Sequence, residues 1–273
     1  MHPDFILLNL LMKKLIVNAD DLGLTPGVTR GIIDAHLHGI VTSASAIMNS
    51  PCITESLAAV NREALELGVG VHLVLSWGRP LLPAKDVSAL ADDSGNFYKF
   101  DQFAGRLSAL NLEEIRLEWQ AQIEAFIASG RRPDHLDSHH HSSYMSPGLF
   151  RVMLELAQKY DLPIRLPSKP AGNSPAVEAF VQVLGQYPVR YPQFCITAFY
   201  DERASLASLS EIIATLPEGI SELMCHPGYA DNGLIEGSSY TTAREKELGI
   251  LTSPEIKAIL AENEVVLGMF SDL

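Results

Sequence analysis

The sequence predicts an α/β protein in which seven or eight mainly parallel strands form a (β/α) barrel or a distorted barrel. Short apolar runs alternate with amphipathic helical segments, and this alternation is typical of parallel sheets. Of the 273 residues 47% are hydrophobic, enough for one core, and no long hydrophilic linker divides them. We therefore expect a single domain over residues 12–273, with residues 1–11 as an extension or an upstream start. An open doubly wound sheet is the alternative, although no GxGxxG or GxxxxGK(S/T) motif indicates a nucleotide site.

Eight strand-like segments predict the strands, and most of them are apolar or rich in β-branched residues. In chain order they cover residues 15–18, 40–48, 69–75, 135–137, 164–166, 194–199, 223–225 and 265–269. Helical periodicity predicts helices over residues 27–38 and 53–67, from 111 and from 147 onward, and near 174–186, 205–216 and 254–262. Together these segments give the repeated strand–helix order of a barrel.

The helix that begins after Asn111 has the clearest local signals. Glu114 follows Asn111 at the spacing of a capping box. An apolar stripe continues the helix and consists of Leu112, Ile115, Trp119, Ile123 and Phe126. Gly130 ends this helix, and Ser146-Pro147 begins the next one because proline is favoured at the first helical position.

The stretch from Trp77 to Leu110 lacks the regular strand–helix rhythm. It follows the strand at residues 69–75, so it emerges on the face where barrel enzymes place their sites. One interpretation is a lid or substrate wall. The other is a peripheral hairpin that turns at Asp93-Ser94-Gly95-Asn96.

The composition excludes several classes of function. A formal net charge of −13 and a pI near 5.1 argue against nucleic acid or an anionic membrane as the main partner. The three cysteines, Cys52, Cys195 and Cys225, form no CxxC pair, so neither a disulfide scaffold nor a cysteine zinc site is expected. A cytoplasmic location is the default, and the sequence leaves a homodimer open.

The apolar run Phe5-Ile6-Leu7-Leu8 near the N-terminus does not predict a stable membrane span, because it is too short to cross a bilayer. Lys13 and Lys14 follow the run, whereas a signal peptide carries its positive charge before it. The run could still support loose membrane association if the substrate is a lipid.

Two adjacent carboxylates, Asp20 and Asp21, stand where the first predicted strand ends. Neighbouring strand residues point to opposite faces, so both can serve one site only if the strand finishes there. Paired charges are costly to bury without a cation. This predicts that one aspartate binds a metal and the other moves protons, whereas a helix N-cap followed by a turn is the alternative.

Histidines lie within or directly after other predicted strands. His72 interrupts the run at residues 69–75, His139-His140-His141 follow the strand at 135–137, and His226 precedes Pro227-Gly228. One carboxylate with two imidazoles makes a three-ligand site with open positions, which suits zinc or another divalent ion. A second carboxylate and a further histidine supply a base and an acid for hydrolysis of an amide or ester.

Four ordered motifs resemble the YdjC-like (ChbG-type) carbohydrate deacetylases from about Lys14 to the C-terminus. They are Leu15-Ile16-Val17-Asn18-Ala19-Asp20-Asp21, the His72 strand, His135-Leu136-Asp137-Ser138-His139-His140-His141 and Met224-Cys225-His226-Pro227-Gly228. Within the family, the chain looks most like the hopanoid biosynthesis-associated branch called HpnK. The resemblance implies a barrel-like fold, a divalent metal and removal of N-acetyl groups from an amino sugar or its conjugate, such as an N-acetylglucosaminyl hopanoid.

The resemblance also implies roles for individual residues. Asp21, His72 and His139 match the metal ligands, Asp20 matches the base, and His226 matches the acid. Family members are described with magnesium as well as zinc, and two imidazoles favour zinc on physical grounds. The chain departs from the family at Ser142-Ser143-Tyr144, where relatives often carry Val-His-Met, and this puts a substrate contact in doubt.

Two alternatives to a metal-dependent deacetylase remain. A non-catalytic sugar-binding protein could keep the same fold, although it need not retain both Asp20 and His226. A metal-dependent phosphoesterase is disfavoured because no lysine–arginine cluster stands near the motifs. The roles of His135, His140 and His141 stay open.

Overall fold

A computed structural model describes residues 12–167 and 175–273, so the predicted extension at residues 1–11 lies outside the described residues. Seven strands form one sheet within the described part of the chain. They are β1 (Lys13–Leu22), β2 (Ser43–Ala46), β3 (Gly68–Leu73), β4 (Leu136–Ser138), β5 (Phe194–Ile196), β6 (Gly219–Cys225) and β7 (Val265–Gly268).

The sheet is built around β1. The strand order is β4-β3-β2-β1-β6-β5, and every pairing between these strands is parallel. β7 pairs with the first half of β1, from Lys13 to Ile16, while β2 pairs with β1 from Asn18 onward. The side chains of β1 are almost all buried, as expected for a parallel strand covered on both sides.

The interval between β4 and β5 is bridged by an irregular segment around Ile164. The Ile164 N–H donates to the Arg190 carbonyl, four residues before β5, at 2.9 Å. On the other side, the Arg165 N–H donates to the Leu136 carbonyl at 3.0 Å. The predicted strand at residues 164–166 is therefore a single parallel bridge to Leu136, and the distorted barrel with seven strands is confirmed.

Ten α-helices surround the sheet in the described ranges. They are α1 (Pro26–His38), α2 (Ile53–Glu63), α3 (Phe100–Ala104), α4 (Leu112–Ala128), α5 (Pro147–Tyr160), α6 (Pro175–Leu184), α7 (Leu206–Ala214), α8 (Asn232–Gly237), α9 (Thr242–Leu251) and α10 (Pro254–Glu262). Asn111 caps α4 through the N–H groups of Glu113 and Glu114, and Ser146 caps α5 through the N–H of Leu149, as their sequences predict. Four residues of the predicted α4 stripe are buried, whereas Leu112 is exposed.

Three helices were not predicted from the sequence. α3 and α8 are short, with five and six residues, so they leave little periodicity to detect. α9 has charged residues on its buried side, including Arg244 and Glu247, and this conceals its inward face. The predicted strand at residues 40–48 is shorter in the structure because only Ser43–Ala46 pairs with its neighbours.

The segment from Trp77 to Leu110 combines features of both interpretations. Ala91 and Phe97 form an antiparallel bridge, and Gly95 between them has a φ of +75°. The predicted hairpin turn is therefore present, with Asp92 Oδ1 accepting the N–H groups of Ser94 and Asn96. Trp77 nevertheless lines the cavity at the strand ends, so this segment also contributes a wall.

In residues 12–167 and 175–273, no helix has the length and apolar character that crossing a bilayer requires.

Candidate active site

The end of β1 brings both aspartates to one site through a local irregularity. The register between β1 and β2 shifts between Ala19 and Leu22, and Asp21 has a φ of +72°. This left-handed backbone turns the Asp21 side chain away from the alternation of a regular strand. The Leu24 N–H donates to the Asp21 carbonyl at 2.9 Å, so the turn predicted as the alternative is also present, while Thr25 is the N-cap of α1.

Asp21, His72 and His139 lie together at the ends of β1, β3 and β4. Asp21 Oδ1 lies 3.4 Å from His72 Nε2 and 3.0 Å from His139 Nδ1. The two imidazole rings meet edge to face with their centroids 5.3 Å apart. All three side chains are buried, so the structure brings the predicted ligands into one cluster.

These separations are compatible with one metal ion. Zinc bonds of about 2.0–2.2 Å place two ligands of a tetrahedral site about 3.3–3.6 Å apart. His72 Nδ1 lies 2.7 Å from Asp137 Oδ1, which fixes the ring and leaves Nε2 directed at Asp21. A carboxylate behind an imidazole is the usual support of a metal-binding histidine. Asp137 has the position of such a support for His72.

The negative charge of the cluster also favours the binding of a cation. Four carboxylates pair with only two buried guanidiniums, and these groups are Asp20, Asp21, Asp137 and Glu222 with Arg165 and Arg244. When all six are ionised, two negative charges are in surplus. Burial alone would lower the pKa of His72, but the adjacent Asp137 carboxylate raises it to about 10. A divalent ion would supply the positive charge that this histidine otherwise takes up as a proton.

Asp20 has different partners from those of Asp21. Arg165 donates from Nη1 to Asp20 Oδ2 at 2.7 Å and from Nη2 to Oδ1 at 2.6 Å. Asn18 Nδ2 also donates to Oδ1, at 3.0 Å. Burial raises the pKa of the Asp20 carboxyl, but the charge of Arg165 outweighs it and holds that pKa below its usual range. Asp20 is therefore ionised and held rigidly beside the metal-ligand candidates.

His226 lies across from Asp20 at the end of β6. Its Nε2 is 3.9 Å from Asp20 Oδ2, and its backbone N–H donates to Glu247 Oε2 at 2.5 Å. Burial lowers the pKa of the imidazole to about 4, so His226 is neutral near pH 7. Removal of the ring from solvent is the cause, because it disfavours the charged form.

A cavity of about 1070 Å³ opens above these groups. Part of its wall is apolar or aromatic, from residues that include Leu24, Pro26, Pro51, Trp77, Tyr200, Leu234 and Tyr240. Asp20, Asp21, His72, His139 and His226 all line it. A largely apolar cavity with a few convergent polar groups is the usual form of a small-molecule site.

The remaining histidines of the strand-end motif occupy different places. His135 is fully buried, stacks on Phe270 at 3.8 Å and does not line the cavity. His140 and His141 do line the cavity, and both have left-handed backbones, with φ of 55° and 52°. Burial lowers their pKa values to about 3 and about 4, so both rings are neutral.

Sequence reasoning missed two arginines. Arg165 lies in the predicted strand at residues 164–166, where a charge in an apolar run was the available signal. Arg244 lies in α9, and its Nη2 donates to Asp21 Oδ2 at 2.5 Å. The site therefore contains arginines, although a phosphoesterase was disfavoured because no lysine–arginine cluster stands near the motifs in the sequence. Because both guanidiniums are already paired with carboxylates, they still do not form a phosphate-binding cluster.

Fold and site together define a class of protein. Barrel enzymes place their chemistry at the carboxyl ends of the strands, and metal-assisted hydrolysis uses a metal site beside acid–base side chains. This chain has a donor set for one ion at that face, with a carboxylate and an imidazole beside it. The chain belongs to the YdjC-like family, whose model matches residues 14–262.

Proteins of similar sequence and structure support the assignment to this family. The chain is 39% identical over 266 residues to a carbohydrate deacetylase of Enterococcus faecalis, covering 96% of this chain and 98% of that protein. It is 38% identical, with a TM-score of 0.87, to the structure of a proposed cellobiose-phosphate cleavage protein from Enterococcus faecalis V583, covering 96% and 98% of the two chains. A family 4 carbohydrate esterase from Streptomyces lividans shares the fold, with a TM-score of 0.53, 13% identity and coverage of 94% and 92%. The predicted family and the predicted deacetylase enzyme are confirmed.

Proposed function

We propose that this enzyme removes the N-acetyl group from an amino sugar or its conjugate by metal-dependent hydrolysis. The observation that carries the proposal is that two adjacent aspartates face different partners. Asp21 Oδ1 faces His72 and His139, whereas Asp20 pairs with Arg165 and faces His226. One carboxylate thus belongs to a metal-ligand set and the other to a proton-transfer pair.

A divalent ion held by Asp21, His72 and His139 would polarise the acetyl carbonyl and lower the pKa of the attacking water. Zinc fits the two imidazoles better than magnesium does, which prefers oxygen ligands. Arg244 donates to Asp21 Oδ2, so the carboxylate is left with Oδ1 for the ion. Open positions then remain for water and substrate.

Asp20 accepts the proton of the attacking water. Because Arg165 lowers its pKa, Asp20 is a weak base that passes the proton on rather than keeping it. Neutral His226 has its Nε2 3.9 Å from Asp20 Oδ2. It receives that proton when the two groups close to hydrogen-bond distance in the substrate complex, and it delivers the proton to the departing nitrogen. One water proton thus ends on the amine as the C–N bond breaks, and the other stays on the hydroxyl of the acetic acid that forms. The acid ionises to acetate, and a free amino sugar is released.

The substrate class rests on the relatives and the cavity. The Enterococcus faecalis relative is named a carbohydrate deacetylase, and the cavity of about 1070 Å³ has room for more than one sugar ring. An N-acetylglucosaminyl hopanoid stays a prediction from the sequence, as do a homodimer, a cytoplasmic location and loose membrane association.

An acetate-release screen tests the proposal. The zinc-loaded and magnesium-loaded enzymes would be incubated with N-acetylglucosamine, its oligomers and lipid-linked N-acetylglucosamine. We expect acetate from at least one of these compounds, and none from a His72→Ala variant that binds no metal. Bound sugar without acetate release from the loaded wild type would instead support the non-catalytic alternative.

A further inference from the structure

Three side chains form a layered stack on the wall of the cavity. The Tyr200 and Tyr240 rings are nearly parallel, with centroids 4.4 Å apart and an interplanar angle of 6°. The guanidinium carbon of Arg244 lies over the Tyr240 ring at 5.6 Å from its centroid. Both the Tyr200 ring and the Arg244 guanidinium thus pack on the Tyr240 ring. Tyr200 is 42% exposed and lines the cavity.

The stack is fixed by polar contacts at its base. The Tyr240 hydroxyl donates to Glu247, and the Asp201 N–H donates to the Tyr240 hydroxyl at 2.9 Å. Glu247 also accepts the backbone N–H of His226, so one buried carboxylate positions both the stack and the proposed acid. The ring of Tyr200 is therefore held by its neighbours before any substrate arrives, which reduces the entropy lost on binding.

The stack flanks His226. The Tyr200 ring meets the His226 ring edge to face at 5.3 Å, and the Tyr240 ring does so at 5.6 Å. In the proposed reaction His226 delivers a proton to the nitrogen that stays on the sugar. The sugar ring that carries this nitrogen must therefore lie on the His226 side of the site, next to the exposed Tyr200 ring.

We propose that Tyr200 is the stacking face for the pyranose ring of the substrate. This inference rests on the proposed function and adds where the sugar binds. The face of a pyranose presents C–H groups, whereas its hydroxyls project from the edge. The negative face of an aromatic ring attracts such C–H groups, and Tyr200 is positioned to offer that face. Tyr200 is a specificity residue that selects cyclic sugars over acyclic acetyl compounds.

Kinetics of Tyr200→Ala and Tyr200→Phe test the assignment. Tyr200→Phe keeps the ring and should behave as the wild type. For Tyr200→Ala we expect KM for an N-acetylglucosamine disaccharide to rise about 10-fold, with kcat changed less than about 2-fold. S-Ethyl thioacetate has an acetyl group but no ring, so kcat/KM for it should stay within about 2-fold in both variants. If Tyr200 only supported His226, kcat for the sugar would fall and KM would not rise.

Saturation-transfer NMR supplies a readout of binding without turnover. In a zinc-loaded Asp20→Asn background, the ring C–H protons of the disaccharide should receive saturation from the protein. The signal should persist with Tyr200→Phe and decline with Tyr200→Ala. Equal ring saturation and unchanged KM in Tyr200→Ala, with an active wild type, would overturn the stacking role alone. A wild type that neither binds nor deacetylates any acetylated sugar would overturn the proposed function as well.

Discussion

Replacement of Asp20 by asparagine separates the base from the metal site. Asparagine cannot accept the proton of the attacking water, and a positioned base contributes about 10²–10⁴-fold to turnover. The three ligand candidates are untouched, because Asp21 Oδ1 still faces His72 and His139. We therefore expect kcat to fall about 10²–10⁴-fold while bound zinc stays at the level of the wild type.

The same substitution has a cost in stability that follows from the contacts of Arg165. Removing one partner of a buried ion pair costs about 3–5 kcal/mol when the other charge is left alone. Arg165 keeps Asp137 at 3.0 Å and Glu222 at 2.6 Å, so its charge stays compensated. We expect a smaller loss in the free energy of unfolding, about 1.5–3 kcal/mol, typical of a hydrogen bond to a charged group.

Glu222→Gln is the matched control. Glu222 pairs with the same guanidinium at 2.6 Å, but it does not line the cavity. It should therefore lose similar stability and far less turnover than Asp20→Asn. The assays are acetate release, thermal unfolding and zinc content of the purified proteins. Near-normal turnover of zinc-replete Asp20→Asn, or equal losses of turnover in the two variants, would refute the base role.

Three further predictions concern the acid and the metal site. His226→Ala should impair amide hydrolysis much more than hydrolysis of 4-nitrophenyl acetate, whose leaving group needs no proton; equal losses with unchanged zinc would contradict an acid role. Zinc binding at pH 7 should release about one proton from His72, whose pKa is about 10, so affinity should rise about tenfold per pH unit between pH 6 and 8. Calorimetry in buffers of different ionisation enthalpy measures this release, and buffer-independent heats would contradict it. Asp137→Asn should weaken zinc binding about 10–100-fold in a chelator competition, because Asp137 supports the His72 ring, and unchanged affinity would show that this support is dispensable.

The fold could be predicted because its signals are local. Each of the seven strands lies in or overlaps a short segment that the sequence predicts as a strand, and the caps at Asn111 and Ser146 are visible as residue types. Ile164 was predicted as a strand because it is apolar and β-branched, yet only one bridge forms there. Pairing length depends on distant neighbours, which a single run of residues does not reveal.

Only part of the site could be predicted, because the residues that pair with its aspartates are distant from them in sequence. Asp20, Asp21, His72, His139 and His226 stand at strand ends, where topology alone brings them to one face. Their partners come from elsewhere: Arg165 is 145 positions from Asp20 and Arg244 is 223 positions from Asp21. Buried ion pairs of this kind leave no periodic pattern, so these partners cannot be paired from the sequence alone.

The ion pairs of Arg165 support the catalytic base but contribute less to the stability of the barrel than apolar packing would. It sits on the irregular segment between β4 and β5, and its ion pairs reach Asp20 of β1, Asp137 of β4 and Glu222 of β6. Well-packed apolar residues often stabilise a protein more than such a buried ionic cluster does. Selection for thermal stability alone would therefore favour an apolar barrel interior. The resulting protein would be more stable, but it would lack the catalytic base Asp20. Engineering of this scaffold should leave that cluster intact and seek its gains on the outer helices.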